Sequence, residues 1–149
     1  MAGALLNPAY RAHLADPRWS DVEQGRVHEA ANRIWPRALG TTPWGMAKVV
    51  SAHSAAHHVR YGWRLARPGD RLVDVRRAVR AGWPVAMLIG TVIPRHWALL
   101  VGCDGVAFDC YEPSSGEVRR VPMGAVSGAR LQVVGFPRPF AFALPRSNI

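Results

Sequence analysis

The chain has 149 residues, 49% of them apolar and 19% charged, with 19 Lys and Arg against 10 acids for a net charge of +9. That balance excludes a disordered chain, the length suffices for one domain with its own core, and no apolar run approaches the ~18 residues of a membrane span. The basic surplus admits an anionic partner. Yet the arginines stand singly or in pairs, as Arg76-Arg77 and Arg119-Arg120, with no basic run and no nucleic-acid motif. A general bias toward Ala, Gly, Pro and Arg accounts for the charge as well, so nucleic acid is not the expected partner.

The start, "MAGALLNPAYRAHLAD", lacks the basic opening and long apolar segment of a signal peptide. The two cysteines, Cys103 and Cys110, fall in one hairpin where they do not oppose each other, so free thiols and a cytoplasmic setting are expected. Residues 1–18 hold two prolines and little periodicity, which predicts an irregular arm. Ser20 and Glu23 have capping-box spacing and open a helix over about 21–34, with Val27, Ala31 and Ile34 as its stripe and Pro36 beyond its end.

In "TTPWGMAKVVSAHSAAHHV", Thr42 is suited to cap a helix and Pro43 to its first position, with Met46, Val50 and His53 on one face. "RYGWRL" alternates as a strand. "PGDRLVDVRRAVRAG" predicts a second helix, capped by Asp70, striped by Leu72, Val75 and Val79, and stopped by Gly82. From Pro84 the period changes, and "PVAMLIG", "HWALLVG", "VAFDCY", "EVRRV" and "LQVVGF" read as five short strands. Helices first and an antiparallel sheet second predict an α+β fold in a single domain over 1–149.

The stretch "PRHWALLVGCDGVAFDCYEPSSG" reads as a hairpin turned at Asp104-Gly105. A two-residue turn would set Trp97 opposite Glu112. A three-residue loop, Cys103-Asp104-Gly105, would set His96 opposite Glu112, with Gly105 in a left-handed conformation. Paired side chains share a face of the sheet, and a carboxylate there would orient the imidazole. The alternative is an exposed cross-strand charge pair.

The succession "AGWPVAMLIG", "RHWALLVGCDG" and "YEPSSG" resembles the papain-fold peptidases that process bacteriocin leaders, and their bacterial peptidase-like relatives, over roughly residues 41–121. The resemblance implies a papain-like fold, with N-terminal helices packed on a C-terminal antiparallel sheet. It also implies that His96 and Glu112 stand where the family keeps the histidine and acid of its triad. The family's Cys-Gly-Pro falls on Thr41, Thr42 and Pro43, so the cysteine is replaced by Thr41. The family's oxyanion glutamine falls on Trp35. A threonine hydroxyl must lose its proton as it attacks, and with Thr41 internal only His96 would serve as its base.

Other candidates are weaker. His53 and His57 have the spacing of two metal ligands on a helix, but no third ligand accompanies them, so neither metal nor cofactor is expected. Cys110 is expected as a buried, inert thiol. Asp109 is a second acid near His96. Thr42, Trp44, Met46 and Trp97 are the residues expected to line an apolar substrate pocket where the papain cleft would be. Two functions follow from these readings. One is a diverged enzyme using a His96–Glu112 dyad for acyl transfer, hydrolysis or proton-transfer cyclisation on a small or peptide-like substrate. The other is an inactive pseudopeptidase that binds such a ligand. The sequence leaves the oligomeric state open.

Overall fold

The computed structural model describes residues 41–146. The arm expected at 1–18 and the helix expected at 21–34 lie outside the described residues, as do Trp19 and Trp35.

Among the described residues there are three helices, α1 Pro43–His53, α2 Val73–Arg80 and α3 Met123–Ser127, with short 3₁₀ turns at Ala55–His57 and Gln132–Val134. The strands are β1 Tyr61–Leu65, β2 Val85–Gly90, β3 Pro94–Cys103, β4 Ala107–Glu112, β5 Glu117–Pro122 and β6 Arg138–Pro145. They make one six-stranded sheet in the order β1-β6-β2-β3-β4-β5, antiparallel at every pairing. The architecture is α+β, as expected.

Each face of the sheet holds its own apolar cluster because side chains alternate along a strand. On the first face α1 lays Ala47 and Val50 on Tyr61, Ala86, Leu99 and Ala143. On the second, α2 and α3 contribute Val75, Val79 and Val126 to a larger core with Met87, Leu100, Phe108 and Phe142. Full burial of each large side chain there contributes about 1.5–3 kcal/mol.

Local chemistry sets the helix ends. The Thr42 hydroxyl accepts the Gly45 N–H at 3.2 Å, and Pro43 takes the position whose N–H has no helical partner. The start of α2 corrects the sequence reading. The residue flanking the helix is Leu72, in a left-handed conformation with φ 53°, not Asp70. Asp70 instead accepts the Leu72 N–H at 2.8 Å and pairs with Arg64. Arg64 also grips Asp74 with two hydrogen bonds, at 2.5 and 2.7 Å, and lies 5.0 Å over the Phe142 ring. The stripe of Leu72, Val75 and Val79 is buried, and Gly82 follows the helix with φ +82°.

Two further readings are corrected. "LQVVGF" is not a strand: Gln132–Val134 form a 3₁₀ turn that ends at Gly135 with φ +83°. The last strand lies further on, in "RPFAFALP", and it enters the sheet interior between β1 and β2. Its Pro139 stands where the β2–β6 register shifts, which is where a residue without an N–H is tolerated.

Candidate functional site

The β3–β4 hairpin turns one residue later than the sequence suggested. Asp104 N–H donates to the Ala107 carbonyl at 3.3 Å, and Gly105 and Val106 occupy the turn, Gly105 with φ +101°. The Asp104 carboxylate accepts the N–H groups of Val106 and Ala107, both at 2.9 Å. Beyond the turn, Cys103 pairs with Phe108 and Gly102 with Asp109. The register then slips, so that Leu100 pairs with Cys110 and Leu99 with Tyr111. A Cβ on Gly102 would lie 2.3 Å from the Asp109 Oδ2, so any larger residue beside this slip would displace the Asp109 carboxylate. Both expected registers are therefore wrong. Carried one residue on, the observed pairing sets Glu112 beside Ala98, diagonal to His96.

A glutamate side chain is long enough to span that diagonal. Glu112 Oε1 lies 2.5 Å from His96 Nε2. The same oxygen accepts the Ser114 hydroxyl at 2.7 Å and the Ser114 backbone N–H at 3.1 Å. Glu112 is 6% exposed, and the imidazole stacks on the Phe136 ring at 5.6 Å. Burial pushes the Glu112 carboxyl up, but the Ser114 hydroxyl, the Ser114 N–H and His96 together outweigh it and hold the group below its ordinary value. An ionised carboxylate only accepts, so Nε2 carries the proton and donates it. Nδ1 is left as the basic nitrogen.

The other expected residues are not gathered around this dyad. Along β3, Trp97 and Leu99 belong to the first face, whereas Ala98 and Leu100 lie in the second core. The alternation sends His96 to the second face, toward Phe136. The Trp97 indole N–H donates to the Thr41 carbonyl at 2.8 Å on the α1 side. The Thr41 carbonyl is thus held by Trp97 on the α1 side of the sheet, whereas the imidazole lies on the other side, against Phe136. Met46 and Trp97 pack into the α1–sheet interface, the Thr42 hydroxyl is engaged as the helix cap, and Trp44 tilts against Trp63 at 6.1 Å.

His53 and His57 do not share a helix, because α1 ends at His53 and His57 closes the 3₁₀ turn, edge-on to Trp83 at 5.8 Å. Among the described residues no group of three His, Cys, Asp or Glu is placed to hold a metal ion. Both cysteines are free thiols, and Cys110 is fully buried, its thiol pushed up to about 12 by burial and then by Glu112. Asp109 faces away from the dyad, since it pairs with Gly102 and Arg120 while Cys110 and Glu112 alternate to the second face.

Sequence reasoning missed two contributors. Ser114 was legible only as part of a turn, and Phe136 was assigned to a strand that does not form. Comparison with family models, with curated proteins and with solved structures finds no match to this chain.

Proposed function

We propose that His96 and Glu112 form the general acid–base dyad of a diverged papain-like enzyme that acts on a small or peptide-like substrate. The observation that carries this reading is the buried, ionised Glu112 bound to Nε2, which leaves Nδ1 as the available base. Nδ1 would take a proton from water or from a substrate nucleophile, and the resulting imidazolium would be stabilised by Glu112. The same nitrogen would return that proton to the leaving group. Hydrolysis by an activated water and a cyclisation needing only proton transfer both fit. Covalent acyl transfer through Thr41 is not supported, because the Thr41 backbone is tied to Trp97 on the other face.

The second reading, an inactive pseudopeptidase, is favoured by one observation. The α1 N-terminus, where the family's nucleophile works, is occupied by the Thr42 cap and the Trp97–Thr41 bond. A panel of activated acyl esters and peptide-like amides separates the two. An enzyme turns over at least one compound, loses that turnover in His96→Ala, and keeps it in Thr41→Ala. Turnover that is equal in wild type and His96→Ala would overturn the dyad as catalytic and leave the binding reading.

A further inference from the structure

The arginines that look scattered along the sequence are gathered by α2. Between residues 67 and 80 there are five, Arg67, Arg71, Arg76, Arg77 and Arg80, and two acids, Asp70 and Asp74. Both acids are consumed by one cation from another element, Arg64 of β1. None of the five arginines forms an ion pair among the described residues.

The helix period then sorts them. Val75, Ala78 and Val79 face the core, so Arg77 and Arg80 fall on the opposite side with Val73, and Arg76 lies at its flank. Arg77 and Arg80 are exposed, as are Arg67 and Arg71 in the turn leading into the helix. Arg76 is half-buried, and its buried Nε has no hydrogen-bond partner among the described residues. The Arg80 guanidinium also reaches the β3–β4 turn, within 3.0 Å of where a Gly105 Cβ would stand.

We propose that the outward side of α2, with the turn before it, is a surface that contacts the phosphate backbone of a nucleic acid without reading its sequence. The charge there is of one sign and its local acids are already engaged. Guanidinium forks match phosphate oxygens. A membrane surface fits less well, because α2 presents Val73 as its one outward apolar side chain and carries no aromatic residue or leucine to enter the acyl boundary. A protein partner would call for an aromatic or aliphatic anchor at the centre, which is also absent from this side.

The test is fluorescence anisotropy of the full chain with a labelled duplex of about 20 base pairs, over about 50–200 mM salt. Two triple variants are compared, Arg71→Gln/Arg77→Gln/Arg80→Gln and, elsewhere on the surface, Arg95→Gln/Arg130→Gln/Arg138→Gln. Circular dichroism checks that both remain folded, and the Arg77→Gln/Arg80→Gln double variant replaces the first should it not. For wild type, log K falls linearly with log salt. The α2 triple variant is expected to make that slope shallower by about 2.7, at about 0.9 per lost phosphate contact, and the control triple leaves the slope unchanged. Absence of duplex binding at the lowest salt would overturn the proposal. So would an equal loss in both variants, or binding to anionic vesicles without binding to the duplex.

Discussion

Replacing Glu112 by Gln keeps the shape of the side chain and removes its charge. Oε1 receives three hydrogen bonds in the native fold, from His96 and twice from Ser114. A bond to a charged group contributes about 1.5–3 kcal/mol against about 0.5–1.5 for a neutral one. Bonds to a single oxygen do not add independently, so the substitution is expected to cost about 1–3 kcal/mol at neutral pH. For a domain of this size that is about 2–10 °C in Tm.

The pH dependence gives the sharper check. The folded Glu112 carboxyl titrates below its ordinary value of 4.5. Its stabilisation is therefore complete above the unfolded pKa and is lost as pH falls through the folded one. Urea unfolding of wild type and Glu112→Gln should differ at pH 7 and converge toward pH 3. The groups around the carboxyl are His96 across the strands, Cys110 and Tyr111 on its own strand, and Glu117 opposite it on β5. Cys110 and Tyr111 are both held above their ordinary values, first by burial and then by Glu112, and stay neutral across this window. A difference that persists unchanged at pH 3, or is absent at pH 7, would mean that the Glu112 charge does not supply this stability.

Three other outcomes follow from the same contacts. Thr42→Ala removes the α1 cap and should cost about 1 kcal/mol in urea unfolding, with Thr42→Ser restoring most of it. Gly102→Ala must displace the Asp109 carboxylate, which would stand 2.3 Å from the new methyl, so it should lower Tm modestly, and Gly102→Ala/Asp109→Ala should recover much of the loss. Phe108→Ala empties the centre of the second core and should cost about 3–5 kcal/mol by the same assay.

Much of this fold was legible because its signals are local. Thr42-Pro43 announces a helix start, Leu72, Val75 and Val79 repeat at helical spacing, and Asp104-Gly105 marks the hairpin. What escaped depends on distant partners. A strand containing Pro139 and Pro145 reads as interrupted, yet β6 joins the sheet interior because its flanking strands bury Phe142 and Ala143. The short apolar run at Val133-Val134 carries no period that separates strand from turn, and Gly135 decides for the turn.

The site was legible in the same uneven way. His96 and Glu112 could be matched from the two ends of one hairpin, but the register slip between Leu100 and Gly102 could not be read from either strand. Strand parity governs the rest. His96 and Trp97 are neighbours in sequence and opposite in direction, so the indole holds the Thr41 carbonyl on one face while the imidazole lies on the other. The basic side of α2 was hidden for a related reason. Arginines dispersed in sequence converge only once the helix forms, and Asp70 and Asp74 are withdrawn only once Arg64 lies beside them.

Glu112 accepts the hydrogen bond from the His96 Nε2–H and leaves Nδ1 as the basic nitrogen on the second face of the sheet. A long-range ¹H–¹⁵N NMR spectrum of the His96 ring, recorded at pH 8, tests this assignment directly. Nε2 is expected protonated and Nδ1 unprotonated, and Glu112→Ala is expected to abolish this tautomer preference. A protonated Nδ1 with a bare Nε2 in the wild-type chain would contradict the assignment.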